Sequence, residues 1–186
     1  MSSSTGNRIF QVLLILAIVI VSFALITKYS NLKKAQSSGG ISPVPEETRS
    51  VTLFFASRQA DGLLSEAREI AVAEGLEDQV KQVLKALVLG PEDDKMISAV
   101  PAGTEILQVF WVEDTQTIFL DFNRALLSAH TGGSAGEYYT ISTILKTVSS
   151  NFPQVRNLQF LVDGYPVETI AGHYAIAKPL DIMRWR

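Results

Sequence analysis

The feature that most constrains this chain is an uncharged apolar run near its start, IFQVLLILAIVIVSFALI at residues 9–26. At about 1.5 Å of rise per residue, a helix of about 18 residues extends about 27 Å, close to the hydrocarbon thickness of a bilayer. Such a helix satisfies its own backbone in lipid, whereas a soluble helix normally keeps a polar face. The sequence therefore predicts a transmembrane segment at 9–26, preceded by a short tail at 1–8.

This segment is either an uncleaved anchor or a cleaved signal peptide. Small residues at Ser22 and Ala24 fit a peptidase site after Ala24, but apolar residues continue beyond it and Arg8 is the only basic side chain before it. We therefore expect an uncleaved anchor. The basic residues on its two sides nearly balance, so charge alone does not decide the orientation. Residues 27–48, with Ser/Gly and Pro, are predicted to be a linker.

Composition excludes several kinds of site. The chain has 186 residues, a net charge of -3 and no cysteine. Without cysteine there is no disulfide, thiolate metal site, cysteine nucleophile or lipid-modified N-terminal cysteine. No basic stripe runs along any segment, so nucleic acid is not an expected partner.

Residues 50–186 are predicted to form one α/β domain, placed in the α+β class. The helix at 76–89 has apolar residues at helical spacing, acidic residues at its start and Gly90-Pro91 directly after it. Residues 64–72 fit a strand or a helix start, and we favour the strand. The other predicted elements are strands at 50–56, 106–112, 117–122 and 158–162, and a helix at 134–151.

The order of these elements predicts a two-layer sandwich of two amphipathic helices on a mostly antiparallel sheet. A polar turn at 113–116 predicts an antiparallel hairpin. Ser134 and Glu137 form an S-x-x-E pattern, which predicts a capping box at the start of the second helix. The tail at 172–185 is predicted to return along the edge of the domain.

An ordered set of motifs resembles the GerMN domain, a GerM-like domain of sporulation and spore germination. The resemblance covers residues 50–179. The motifs that carry it are LKALVLGPEDDKMISAVPAGTEI, TIFLDFN, YTISTILKTVSSNFPQVRNLQFLVDG and ETIAGHYAIAKPL.

The resemblance implies an extracytoplasmic domain tethered to the cytoplasmic (inner) membrane by a single pass. It also implies a fold similar to ring-building domains of secretion machines and a role in envelope or sporulation assemblies. The chain departs from common family patterns because it carries one copy and lacks a lipid-anchor cysteine.

Two turn regions hold polar candidate contacts. Asp121 and Asn123 lie on either side of Phe122 in LDFN, at a strand end, where Asp121 either contacts a partner or caps local backbone N–H groups. Asp163 and Gly164 either present a loop to a partner or simply form a tight turn.

The aromatic pair Phe110 and Trp111 supplies a further candidate. Adjacent residues of a strand point to opposite faces, so one of the two must face away from the helices. An apolar residue on an open sheet face is a candidate contact for a partner or for the tail. We take Trp111 as the candidate interaction residue.

No catalytic or metal-binding constellation is visible. His130 and His173 are far apart in sequence and lack the ligand spacing of a zinc site. No paired carboxylates, G-x-S-x-G elbow or Walker loop occurs. We expect no enzyme activity and no cofactor.

The sequence thus predicts a membrane-tethered extracytoplasmic assembly or binding module. Its expected partners are the membrane, through the N-terminal helix, and envelope proteins or a second copy of the chain. Alternatives that location alone suggests are a cell-wall-associated enzyme and a periplasmic domain that binds a ligand, a glycan or peptidoglycan.

Overall fold

A computed structural model describes residues 47–185. The predicted transmembrane segment at 9–26 and nearly all of the linker at 27–48 lie outside these residues. Within 47–185, no helix combines the length and the apolar character needed to cross a membrane.

The described residues form a mixed α+β domain. Its strands are β1 Thr48–Ser57, β2 Leu63–Ala71, β3 Met96–Ile97, β4 Ile106–Val112, β5 Thr117–Phe122, β6 Asn157–Val162, β7 Tyr165–Pro166 and β8 Leu180–Asp181. Its helices are α1 Leu76–Val88, α2 Ala125–Ser128, α3 Ser134–Asn151 and a terminal 3-10 helix at Ile182–Trp185.

The first sheet has the strand order β2-β1-β3. Strands β1 and β2 pair antiparallel along their whole length, from Thr48 opposite Ala71 to Ala56 opposite Leu63. This pairing confirms the strand prediction for 64–72 over the helical alternative. The short β3 pairs only with the last two residues of β1, so most of that edge of β1 has no strand partner among the described residues.

The second sheet has the order β4-β5-β6-β7. Strands β4 and β5 form the predicted antiparallel hairpin, whereas β5 and β6 are parallel because α2 and α3 connect them. Both β7 and β8 pair antiparallel with the other edge of β6, β7 near its end and β8 near its beginning. The return of the tail along the domain edge is therefore confirmed. The domain has two mostly antiparallel sheets where the sequence predicted one.

Both sheets and both long helices share one hydrophobic core. The rings of Phe122 on β5 and Phe160 on β6 stack with their centroids 6.0 Å apart. Each fully buried side chain of this size stabilises the fold by roughly 1.5–3 kcal/mol relative to leaving it exposed.

Helix α1 follows its sequence signals closely. It ends before Gly90, whose φ of 91° is the left-handed conformation that glycine adopts without strain. The guanidinium of Arg68 on β2 donates to the carbonyls of Ala86 at 2.9 Å and Gly90 at 3.0 Å. The last turn of α1 is thus capped by a side chain of the first sheet.

The capping-box prediction for α3 is wrong. Ser134 is the first helical residue, the N-cap is Gly133 with φ 80°, and no side chain caps this end. The Glu137 carboxylate is fully buried and accepts hydrogen bonds from residues 170–174 instead. Glu137 does not follow the local S-x-x-E pattern, because a distant loop supplies more N–H donors to its carboxylate than the helix end does.

Helix α3 also completes the open edge of β1. Asn151 accepts from the Thr52 N–H at 3.0 Å and donates to the Thr52 carbonyl at 2.7 Å. The Thr147 hydroxyl accepts from the Phe54 N–H at 3.1 Å. These side chains satisfy backbone groups that a neighbouring strand would otherwise pair.

Candidate functional site

The two predicted turn sites meet where β5 and β6 end. Asp121 is buried, and its Oδ1 accepts a hydrogen bond from the Gly164 N–H at 2.8 Å. The turn between β6 and β7 has φ 50° at Asp163 and φ 82° at Gly164, as a two-residue hairpin turn requires. The predicted tight turn is confirmed. Asp121 caps this turn rather than its own local one.

The side chain of Asn123, at the end of β5, makes hydrogen bonds to the loop before β4. Its Oδ1 accepts from the Glu105 N–H at 3.1 Å, and its Nδ2 donates to the Gly103 carbonyl at 2.9 Å. The backbone N–H of Asn123 donates to the Glu105 carbonyl at 3.0 Å. The VPAGT and LDFN motifs, which are separated in sequence, are therefore joined by one amide side chain.

Two accessible charged side chains at this end form an ion pair. Arg124 Nε lies 3.4 Å from Asp163 Oδ2, and both side chains are largely accessible to water. A pair of this kind typically stabilises a protein by about 1 kcal/mol or less. It is accessible to a partner, whereas Asp121 Oδ1 and both polar side-chain atoms of Asn123 are engaged within the domain.

Trp111 lies at the opposite end of the second sheet, paired with Ile118. It is partly buried and packs against the core. Its neighbour Phe110 points to the other face and is 50% exposed. Of this aromatic pair, Phe110 is therefore the one that is presented to solvent.

The outer face of the second sheet carries an apolar row. Phe110 on β4 lies opposite Phe119 on β5, and paired residues of adjacent strands share a face. Val112, two residues further along β4, is 40% exposed. On β6, Gln159 lies opposite Phe119 and Leu161 lies opposite Asp121, so polar side chains share this face with the apolar ones. We call Phe110, Val112, Phe119 and Leu161 the outer row.

A second cluster, which sequence reasoning missed, surrounds Glu137. Its Oε1 accepts from the Ile170 N–H at 2.9 Å, and its Oε2 accepts from the His173 N–H at 2.8 Å. The ring Nδ1 of His173 lies 3.2 Å from the same Oε2. Burial alone raises the pKa of the Glu137 carboxyl, but the N–H groups of residues 170–174 outweigh it and hold the pKa below its usual 4.5.

One sequence signal could have revealed this carboxylate. Glu137 precedes Ile141 by four residues and Ile144 by seven, so it lies on the apolar stripe of α3 rather than on a polar face. An acidic residue in that position must find donors inside the fold, since an unpaired buried charge is very unfavourable.

The two histidines flank the start of α3 but do not form a metal site. His173 contacts Glu137, and His130 Nε2 lies 3.1 Å from the Thr140 hydroxyl, one turn further along the helix. Within residues 47–185, no group of three or more potential metal ligands occurs.

Comparison with known proteins gives the family. A sequence model described as "Germane: Sporulation and spore germination" matches residues 52–168. The chain belongs to this family. No curated protein sequence gives a significant match. The matched residues include the VPAGT, LDFN and FLVDG motifs, and the GerMN resemblance is confirmed.

Two solved structures share the fold of this GerMN-type domain. A "Putative Lipoprotein" from Clostridium perfringens superposes with a TM-score of 0.51 at 21% identity, covering 76% of this chain and 93% of that one. The tandem GerMN domains of the sporulation protein GerM from Bacillus subtilis superpose with a TM-score of 0.55 at 13% identity. That match covers 77% of this chain and 49% of the tandem protein, so this chain spans about half of its length.

Proposed function

We propose that this chain is a membrane-tethered, extracytoplasmic assembly module of a cell-envelope or sporulation-type complex, without catalytic activity of its own. Three features support the proposal: the apolar run at 9–26, membership of the sporulation and germination family, and the outer row, in which Phe110 and Val112 are exposed. The outer row carries the proposal, because it is the feature that a protein partner could contact directly.

The outer row suits a protein contact better than a solvated surface. Phe110 exposes half of its side chain, and Val112 exposes 40% on the same face of β4. Aromatic residues are enriched in protein interfaces, where a few buried side chains contribute most of the affinity.

Photo-crosslinking in native membranes tests the interface. A benzoylphenylalanine placed at Phe110 should yield a crosslinked product, and its mass distinguishes a second copy of this chain from another envelope protein. The same probe at Lys85, which is exposed on α1, serves as the matched control. Equal yields at the two positions, or no product at Phe110, would contradict an interface at the outer row.

The substitution Phe110→Ser sharpens the same test. It removes a half-exposed aromatic side chain that pairs with Phe119 across the strands, so the unfolding free energy should fall by only about 1 kcal/mol and the domain should remain folded. Crosslinking from a probe at Val112 should nevertheless fall at least severalfold. Retained crosslinking in this variant would show that the outer row does not drive association.

The placement outside the cytoplasm is tested independently. A reporter that is active only outside the cytoplasm, fused after Arg186, should be active in intact cells. Protease added to spheroplasts should also digest the domain. A silent reporter together with a protected domain would rule out the proposed topology.

A further inference from the structure

Two cavities flank the N-terminal half of α3. The first has a volume of about 350 Å³, and we call it the alanine cavity after the methyl groups in its wall. The second, the C-terminal cavity, has a volume of about 420 Å³ and includes Leu180, Asp181 and Arg184. Side chains that line the alanine cavity include Ala56, Ala99, Ala102, Ala129, His130 and Tyr139.

A ridge of three tyrosines joins the two cavities. Tyr139 lines the alanine cavity, and its neighbour Tyr138 lines the C-terminal cavity. The ring centroids of Tyr138 and Tyr139 are 5.8 Å apart, and those of Tyr138 and Tyr174 are 5.9 Å apart. Tyr138 and Tyr174 are 41% and 39% exposed. We call these three residues the tyrosine ridge.

The tyrosine ridge is held in place by hydrogen bonds within the domain. The Tyr139 hydroxyl donates to the Ala60 carbonyl at 2.8 Å. Tyr174 belongs to the loop whose backbone N–H groups, including its own, are bound by the buried Glu137 carboxylate. A surface that is already ordered loses little conformational entropy when a ligand binds.

The alanine cavity presents an apolar wall even where it is lined by histidine. His130 Nδ1 accepts from the Gly132 N–H at 2.9 Å, so Nε2 carries the proton and donates to the Thr140 hydroxyl. Both ring nitrogens are therefore engaged. The carbon edge of the ring, Cε1, lies beside Gly136, where an added Cβ would be 3.5 Å away.

Charge around the two cavities is balanced. Among the described residues that line them, the only acidic or basic side chains besides His130 are Asp181 and Arg184, which pair at 3.6 Å. Neither a strongly anionic nor a strongly cationic ligand would gain electrostatically here. The pair still offers carboxylate acceptors and guanidinium donors to ligand hydroxyl groups.

We propose that these two cavities and the tyrosine ridge form a binding site for an oligosaccharide that carries acetamido groups. The apolar faces of sugar rings lie against the ridge, since tyrosine combines an apolar ring with a polar tip. The alanine cavity receives an acetamido methyl, and Asp181 and Arg184 hydrogen-bond hydroxyl groups in the other cavity. Apolar walls with a few convergent polar groups are typical of small-ligand sites.

Titration of the full chain, purified in a detergent without sugar groups such as lauryldimethylamine oxide, tests the proposal. Calorimetry should detect chitotetraose, a tetramer of N-acetylglucosamine, with a Kd of about 1 mM or below. Cellotetraose has the same backbone with hydroxyls in place of acetamido groups and should bind at least tenfold more weakly. Tyrosine ring signals in NMR spectra should shift on addition of chitotetraose.

Matched variants distinguish binding at the proposed site from binding elsewhere on the surface. Tyr138→Ala should weaken chitotetraose binding about tenfold, the loss expected for one aromatic contact. Ala102→Trp, which fills the mouth of the alanine cavity, should weaken it similarly while leaving the tyrosine ridge intact. Tyr165→Ala is the control, because Tyr165 is 74% exposed on β7 and lines neither cavity. Thermal unfolding shows whether each variant remains folded.

Three results would overturn the proposal: no heat or NMR shift with chitotetraose, equal affinity for cellotetraose, or unchanged binding in both folded cavity variants. A muropeptide arm identifies the source of the sugar, since tighter binding of a muropeptide than of a chitin fragment indicates peptidoglycan. A role in the envelope rests on the extracytoplasmic placement proposed above. The titration does not, so failure of the site and failure of the topology are separate results.

Discussion

The two long helices of this domain differ in how much of their surface is buried. Helix α1 buries one face and leaves Lys85 in water, with its buried side being Val80, Val83, Leu84, Ala86 and Leu87. Helix α3 buries residues around most of its circumference, including Thr140, Ser142, Thr143, Thr147 and Ser149. An exposed helix needs only an apolar stripe. A surrounded helix also places polar side chains inside the fold, and most of them need hydrogen-bond partners there.

The difference shows where the specific interactions of the domain are concentrated. Glu137 at the start of α3 binds the loop at 170–174, and Asn151 at its end binds the edge of β1. Both are single side chains that satisfy several backbone groups at once. Helix α1 has no counterpart, because its ends are completed by glycines and by Arg68 from β2. Substitutions in α3 should therefore destabilise the domain more than matched ones in α1.

The largest effect is expected for Glu137→Ala. The substitution leaves the buried N–H of Ile170 and the partly buried N–H of His173 without their acceptor, each at about 1–3 kcal/mol, so the unfolding free energy should fall by about 3 kcal/mol. Urea unfolding of the purified chain measures this. Glu137→Gln keeps the shape of the side chain but replaces one acceptor oxygen with a donor. Its unfolding free energy should lie between those of the parent chain and of Glu137→Ala. A loss below about 1 kcal/mol for the alanine variant would show that the loop does not depend on this carboxylate.

Asn151→Ala should have the next largest effect, about 2 kcal/mol, because it removes both hydrogen bonds to Thr52 from a partly buried strand edge. The freed edge should also increase self-association, which light scattering detects. Lys85→Ala in the last turn of α1 is the control and should change stability by less than about 0.5 kcal/mol. If the two variants unfold alike, α3 does not protect the edge of β1.

The same difference explains which parts of the structure could be predicted from the sequence. Helix α1, the β4–β5 hairpin and the Asp163-Gly164 turn depend on local signals, namely periodicity, a polar break and a turn pair, and the sequence identified all three. The division into two sheets depends on which strand edges meet, and no local pattern specifies that.

At the candidate sites, too, the features that depend on contacts between distant residues could not be predicted from the sequence. That Asp121 would cap the turn at Gly164 could not be read from the sequence, because the two residues are brought together only by the parallel pairing of β5 and β6. Trp111 and Phe110 differ only in which face of β4 they occupy, and the strand pattern alone left that choice open. The S-x-x-E pattern predicts a local cap for Glu137, since the loop that binds this residue lies more than thirty residues later in the sequence.

Stability should depend on pH through Glu137 at the start of α3. The pKa of Glu137 is lower in the folded state than its usual 4.5, so its contribution to stability is fully present above that value. The contribution is lost as the pH falls through the folded-state pKa. The folded state favours the ionised carboxylate, whereas acid protonates the same group more readily in the unfolded state. The loss should be smaller than in Glu137→Ala, since a protonated carboxyl keeps an oxygen that accepts.

Urea unfolding at pH 7 and at pH 3 measures this effect in the parent chain and in Glu137→Gln. The variant cannot titrate at position 137 and should lose less stability between the two pH values than the parent chain does. Glu66, whose pKa is also lowered, contributes the same slope in both proteins and therefore cancels in the comparison. Identical pH profiles would mean that the Glu137 carboxylate does not couple folding to protons.

The smallest effect is expected at the start of α1. Asp78 lies in the first turn and is exposed, so its charge interacts with the helix dipole through water. Asp78→Asn should destabilise the domain by about 0.5 kcal/mol at low ionic strength, and 0.5 M salt should remove most of the difference. The buried carboxylate of Glu137 is shielded from salt, so Glu137→Gln should keep its full effect under the same conditions. A salt-insensitive loss at Asp78 would mean that this carboxylate has a specific partner, and the contrast between an exposed and a surrounded helix would then be weaker than the structure indicates.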